Sequence, residues 1–261
     1  MSDFSLIETM RWEPEKGIVR LRLHLARLTR SAGRLGFLGA DRAAEKLSEV
    51  LGDIHPARSL FSPAGRSAEQ SEAMRGPSGT FSTSRPPSSG PSGHLLPAGE
   101  KREQLPGPLR VRLTLSPAGE IAITTAPFAP LPPDTIWRVA IAAARLDSNN
   151  RLLRHKTTRR EIYEAARAEY PAADADEVLL LNETGEPCEG TITSIFLDDG
   201  SGMLKTPPVA CGLLAGVLRT ELICARRARV QRLTLADLKT GTLYMGNSLR
   251  GLIRAKLLMK D

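Results

Sequence analysis

LLRHKTTRR, residues 152–160, carries a single lysine, Lys156, between small hydroxyl residues and the arginine pair Arg159 and Arg160. Neighbouring cations disfavour an ammonium, so the pKa of this lysine is expected to fall, and a neutral amine is what a nucleophilic lysine requires. Taken alone, these residues fit a solvated basic turn ahead of a helix better than a reactive centre. What shifts the reading is the sequence downstream.

Residues 159–169 have helical character, and 177–181 form a short apolar strand ending in the turn Asn182-Glu183-Thr184-Gly185. Glu189-Gly190 then opens a β-rich run over 191–197, and 217–228 reads as a helix whose amino end carries Leu214-Ala215-Gly216-Val217. A short helix at 234–238 precedes a strand at 242–245 that ends in Gly246-Asn247-Ser248. Three small-residue turns thus follow the lysine. The second opens a helix and the third closes a strand, so both can offer backbone N–H groups and a hydroxyl to an oxyanion such as phosphate. Each alone is as well explained as an ordinary turn or cap.

Upstream, 137–143 reads as a buried strand, and Pro127, Pro130, Pro132 and Pro133 make a stiff linker with a domain boundary near Pro133. LRVRLTLSPAGEIAITTAP, from Leu109, alternates apolar and polar residues on both sides of Ser116-Pro117-Ala118-Gly119 and predicts two paired strands. About 56–107 is rich in Ser, Pro and Gly without a hydrophobic period and is expected to be a disordered insertion. A helix is expected at about 40–51. Over 21–35, Leu21, Leu25, Leu28, Ala32 and Leu35 recur at helical spacing with Arg22, Arg30 and Arg34 left for the wet face, and Gly36 is a plausible stop. FSLIETMRW, from Phe4, is a strand turned back through Glu13-Pro14-Glu15-Lys16-Gly17 into a hairpin.

The 261 residues are 41% hydrophobic and 25% charged, a globular composition long enough for one large or two modest domains. A net charge of +7 suits an anionic ligand, but the basic residues are spread along the chain and aromatics are only 4%, which argues against a nucleic-acid surface. Cys188, Cys211 and Cys224 lack metal-ligand spacing and a disulfide framework, so no metal site and a reduced, cytoplasmic setting are expected. No apolar run reaches the roughly 18 residues of a membrane span, and MSDFSLIE lacks the regions of a signal peptide.

Taken in order, FSLIET, RLRLHLARLTRSAGRLGF, LLRHKTTRREIY, DEVLLLNETGEPCEGTITSIF, TPPVACGLLAGVLR and LYMGNSLRG resemble the class IV aminotransferase family, the fold type IV pyridoxal-phosphate enzymes, and within it the aminodeoxychorismate lyases. The resemblance covers most of the chain outside the insertion. It implies an α+β fold in two domains, a small α/β domain over 1–133 holding the insertion and a larger, pseudo-barrel α/β domain over 134–261 that binds pyridoxal 5'-phosphate. It implies Lys156 as the lysine that bonds the cofactor and then moves protons, and Glu189 as the carboxylate facing the pyridine nitrogen. Arg27, Gly216, Val217 and Ser248 fall where the family holds the phosphate, Leu214 where a side chain packs on the ring, and Arg160 where a basic partner meets the ring hydroxyl. Arg11, His155 and Arg250 are candidates for reading substrate carboxylates by their position near the motifs. Two positions depart from the family pattern, with Ser194 for a common asparagine and Leu218 for a common threonine, and the strands that usually precede FSLIET are missing, which implies a shortened small domain.

On this resemblance the expected activity is elimination of pyruvate from 4-amino-4-deoxychorismate to give 4-aminobenzoate. The alternatives are transamination of branched-chain or D-amino acids, disfavoured by Glu161 standing where transaminases often carry tyrosine, and a degenerate, non-catalytic cofactor binder. A homodimer is implied, with a possible aminodeoxychorismate synthase partner and neither nucleic acid nor membrane.

Overall fold

Leu6, Met10 and Trp12 alternate along strand β1 (Leu6–Glu13) and are 1% exposed, the period of two that a half-buried strand requires. The structure is a computed structural model that describes residues 4–52 and 107–258. The segment expected to be disordered, at about 56–107, lies outside the described residues as far as Pro106.

β1 turns back into the short β2 (Gly17–Ile18), and helix α1 (Leu21–Leu35) follows, with the bounds that its periodicity predicts. Gly36 ends α1 in the left-handed region at φ 73°, its N–H donating to the carbonyl of Ala32, and a glycine adopts that conformation without the Cβ penalty. The expected second helix is a 3-10 turn, Ala40–Arg42, running into α2 (Ala43–Gly52). β3 (Leu109–Leu115) and β4 (Ile121–Pro127) form the expected hairpin, and β2-β1-β3-β4 make a four-stranded antiparallel sheet. One face of this sheet, through Leu6, Met10, Trp12, Val111, Leu113 and Leu115, packs on Leu28, Ala32 and Leu47 of the helices. Each large side chain so buried stabilises the fold by about 2 kcal/mol. The other face carries Ile7, Thr9, Arg110 and Arg112.

Beyond Pro133 come β5 (Ile136–Leu146), α3 (Glu161–Ala168), β6 (Glu177–Asn182), β7 (Pro187–Gly190), β8 (Ser194–Asp198), β9 (Leu204–Thr206), α4 (Val217–Cys224), β10 (Ala228–Val230), α5 (Asp237–Thr240), β11 (Thr242–Asn247) and β12 (Gly251–Leu257). They order as β10-β9-β8-β11-β12-β5-β6-β7, and β7 pairs again with β8 through Glu189↔Ser194, so the strands from β8 round to β7 close on themselves. This closure is the pseudo-barrel of the expected fold. Six-residue β6 is buried throughout, because one side meets Leu243, Met245 and Ile253 while Val178 and Leu180 meet α3.

Two expectations need correction. The run over 191–197 is broken at residues 191–193, where the chain must turn for β7 to pair with β8. The helix expected over 217–228 stops at Cys224, since Arg226 has a positive φ of 54° and Ala228 has joined β9 as a strand. β9, β10 and β12 were not anticipated. Among the described residues no helix is long and apolar enough to cross a membrane, and no cluster of three or more His, Cys, Asp or Glu could hold a metal ion.

Candidate active site

A 3-10 turn, Arg151–Arg154, delivers the lysine, and Asn150 caps it by accepting the Leu152 N–H at 3.0 Å. The chain then extends and lies against β1. Ile7 N–H donates to the Lys156 carbonyl at 2.8 Å, Thr158 N–H donates to the Ser5 carbonyl at 2.9 Å, and Ser5 N–H donates to Thr158 Oγ1 at 2.9 Å. The basic turn of the sequence reading is therefore a bridge from the large sheet to the small one. Burial, then the charges of Arg27 and Arg160, lower the Lys156 pKa to about 8, against the opposing pull of Glu8 and Glu189. The depression was expected from Arg159 and Arg160. Arg159 instead lies 5.0 Å over the Phe4 ring.

Glu189, at the end of β7, is 5% exposed. Burial raises its pKa to about 7, although Tyr163 Oη donates to its Oε1 at 2.7 Å and the Leu214 N–H to its Oε2 at 3.2 Å. Arg160, whose guanidinium lies 4.9 Å over the Tyr163 ring, donates from Nη2 to the carbonyl of Thr191 at 2.6 Å. That carbonyl belongs to the 191–193 turn, which the buried carboxylate of Glu177 shapes by accepting from Thr191 N–H and Oγ1, Ile192 N–H and Thr193 Oγ1.

A second group of side chains comes from both sheets. Arg27 sits on the buried stripe of α1 and donates from Nε and Nη2 to the two oxygens of Glu8 at 2.8 and 2.6 Å. His24, one turn earlier, bonds Glu8 Oε2 through Nδ1 at 2.6 Å and Ser248 Oγ through Nε2 at 2.8 Å. Glu8 is 2% exposed, and its pKa is lowered to about 2 by Arg27 and His24 in spite of the burial that opposes it. Burial also lowers the pKa of His24, which favours the neutral ring. Facing this group is the amino end of α4. Its first-turn N–H groups have no intrahelical partners, and the cap residue, Gly216, contributes no side chain. A Cβ on Gly216 would lie 2.6 Å from Ser194 Oγ, so any side chain there would have to displace the Ser194 hydroxyl.

These groups line one cavity of about 830 Å³, whose wall includes Arg27, Lys156, Arg160, Glu189, Leu214, Gly216, Val217 and Ser248. Of the three candidate carboxylate readers, His155 and Arg250 are on that wall. The ring of His155 meets Ser31 Oγ at 3.0 Å, and Arg250 lies 5.8 Å over the Phe128 ring. Arg11 is not on the wall. It pairs with Glu13 at 3.0 Å, in spite of sharing a strand face with Ile7 and Thr9. Arg110 and Arg112 line the cavity instead, and sequence reading passed over them because LRVRL was read only for its alternation. Glu8, His24 and Tyr163 were missed as well. A lone carboxylate on the apolar face of a predicted strand signals a buried cation, and His24 shares that cation's helix stripe three residues away.

A donor set of this kind fits pyridoxal phosphate: a buried lysine of lowered pKa, a buried carboxylate, and an arginine and hydroxyl beside a bare helix start. The model of the family described as "Amino-transferase class IV" matches residues 96–258. A search of the curated proteins finds no match. Among solved structures, a candidate amino-acid aminotransferase from Mesorhizobium loti is 41% identical, with 98% of this chain and 100% of that one covered at a TM-score of 0.75. The 4-amino-4-deoxychorismate lyase of Pseudomonas aeruginosa shares the fold at 19% identity, with 98% and 84% covered and a TM-score of 0.66. So does the branched-chain amino acid aminotransferase of Escherichia coli, at 15% identity, 97% and 77% coverage and a TM-score of 0.65. With the family model spanning more than half of its length and a relative 41% identical over 98% of it, this chain belongs to the class IV aminotransferase family of pyridoxal-phosphate enzymes.

Proposed function

We propose that the protein is a pyridoxal-phosphate-dependent lyase that removes pyruvate from 4-amino-4-deoxychorismate and leaves 4-aminobenzoate. The observation that carries this reading is the charge of the cavity wall. Arg110, Arg112, Arg159 and Arg250 join the cations nearest the lysine, and such a wall suits a substrate with two carboxylates far better than an aliphatic side chain.

In this reading Lys156 bonds the cofactor, Arg27, Ser248 and the amides of Gly216 and Val217 hold its phosphate, Leu214 packs on its ring, Arg160 meets the ring hydroxyl and Glu189 faces the pyridine nitrogen. Held there, pyridoxal phosphate would supply an electron sink for the pair released at the substrate carbon that carries the amine. With a pKa of about 8, Lys156 is poised to take the proton from that carbon and to return one to the departing group. The ether C–O bond on the neighbouring carbon breaks, pyruvate leaves as its enol, and the ring becomes aromatic. Glu189 is held in place by Tyr163 and the Leu214 amide, so it keeps its position while the ring's charge changes. A homodimer in the cytoplasm, supplied by a synthase that aminates chorismate, goes with this reading.

The Mesorhizobium loti relative favours a second reading, transamination of a branched-chain or D-amino acid, which uses the same lysine and needs a 2-oxo acid to take up the amine. The two separate in one experiment. The full-length protein is incubated with 4-amino-4-deoxychorismate, with pyruvate and 4-aminobenzoate measured, and in parallel with glutamate or branched-chain amino acids and a 2-oxo acid. Equimolar pyruvate and 4-aminobenzoate without any 2-oxo acid support the lyase. Amine transfer with no aromatic product overturns it in favour of the aminotransferase.

A further inference from the structure

We propose that Arg20 is a positioning residue that clamps the two halves of the phosphate cup together. The inference rests on the cofactor reading above. In that reading one half of the cup, His24 and Arg27, rides on α1 beside the small sheet, and the other half, Gly216, Val217 and Ser248, belongs to the large sheet and α4. Arg20 stands at the junction. It precedes α1 as its cap, and its carbonyl accepts the first helical N–H bonds, from Leu23 at 3.0 Å and His24 at 3.2 Å. Its side chain crosses to the other half, where Nε donates to Glu221 Oε2 on α4 at 2.7 Å and Nη1 donates to the carbonyl of Ser248 at 3.3 Å.

Its backbone is as unusual as its reach. A helix cap residue normally has extended dihedrals, yet Arg20 sits at φ 62° and ψ 28°, one of two non-glycine residues with positive φ among those described. An L-residue adopts that region at a cost, so something must hold it there, and the two cross-bonds add to the helical bonds that its carbonyl accepts. Arg20 does not line the cavity, so any influence on the cofactor passes through Ser248, α4 and α1. The guanidinium is mostly buried, with a side-chain exposure of 15%, whereas Glu221 is at 39% and its share of the clamp is screened. The bond to the Ser248 carbonyl is therefore the more specific tie, because it fixes the residue whose hydroxyl faces His24 and the cup.

The test compares Arg20→Met and Arg20→Gly with wild type in the full chain, titrated with pyridoxal phosphate and, separately, with pyridoxal, which lacks the phosphate. Both variants lose the clamp, but only glycine relieves the backbone. The expected result is that both bind pyridoxal phosphate roughly tenfold more weakly, about 1.4 kcal/mol, and bind pyridoxal as wild type does. Arg20→Gly should meanwhile unfold at a higher temperature than Arg20→Met. Phosphate affinity that tracks thermal stability, with Arg20→Gly restored to wild type, overturns the clamp and leaves a structural cap. Unchanged affinity in both variants overturns it too. If wild type itself forms no borohydride-reducible band with either ligand, the cofactor reading falls and takes the clamp with it.

Discussion

A lysine kept beside Arg27 and Arg160 in a buried wall costs the fold stability, and that cost has a pH signature. The Lys156 pKa stands at about 8, below its ordinary value of 10.5, so between these pH values the unfolded chain holds a proton that the folded chain has released. Stability therefore rises as pH climbs from about 8 to 10.5, and below 8 the folded protein carries the full penalty of a buried ammonium. Lys156→Met should make the cofactor-free protein more stable at pH 7, by roughly 3 kcal/mol, with the gain closing as pH approaches 10.5. Thermal unfolding of both proteins across that pH range measures it, and parallel profiles would refute it. The same variant should fail to form the borohydride-sensitive band. This lysine was legible from its neighbours in order along the chain, not from its charge environment. Arg159 looked like the perturbing cation only because it is adjacent, whereas Arg27 reaches the amine from a distant helix, which no local pattern displays.

The elements whose signals are local were legible: α1 from its apolar spacing and Gly36, the β3–β4 hairpin from strict alternation around Ser116-Pro117-Ala118-Gly119. Strands β9, β10 and β12 were not, because short or charge-bearing runs such as Ala228–Val230 owe their extension to a neighbouring strand and not to their own residues. Two glycines separate these cases experimentally. At Gly36 an added Cβ would meet nothing within 4 Å, so Gly36→Ala carries only the conformational penalty of the left-handed region, about 1 kcal/mol, and should leave cofactor binding untouched. At Gly216 the dihedrals suit any residue, and the penalty comes from the contact with Ser194 Oγ at 2.6 Å. Gly216→Ala should weaken pyridoxal-phosphate binding by tenfold or more. Adding Ser194→Ala removes the clashing oxygen and leaves that residue's Cβ at 3.9 Å, so the double variant should recover most of the loss. Chemical denaturation and cofactor titration of these variants decide both points, and a Gly216→Ala defect that persists in the double variant would mean that the helix start itself needs the glycine.

Across the whole molecule the cavity exists because two sheets are tied together at its edge, by the Lys156 segment lying on β1, by Arg20, and by a chain of buried polar side chains that runs from Glu8 through His24 to Ser248. The last tie is ionic at its root. Glu8 accepts both Arg27 bonds and the His24 bond in a site 2% open to solvent, and its folded pKa of about 2 lies below the ordinary carboxylate value of 4.5. For a depressed acid the contribution to stability is complete above the unfolded pKa and disappears as pH falls through the folded one, so this tie should weaken between pH 4.5 and about 2. Other carboxylates, Glu186 and Asp199 among them, are also depressed, and the wild-type acid profile alone does not isolate Glu8. The difference between wild type and Glu8→Gln does. At pH 7 the variant leaves Arg27 buried without its counter-charge and should be less stable by about 3 kcal/mol. As pH falls through the window the wild type loses what the variant already lacks, so the two stability curves should converge near pH 2. A constant gap down to that pH would show that the cost of the substitution is packing and not charge, and that the Glu8 tie is not ionic.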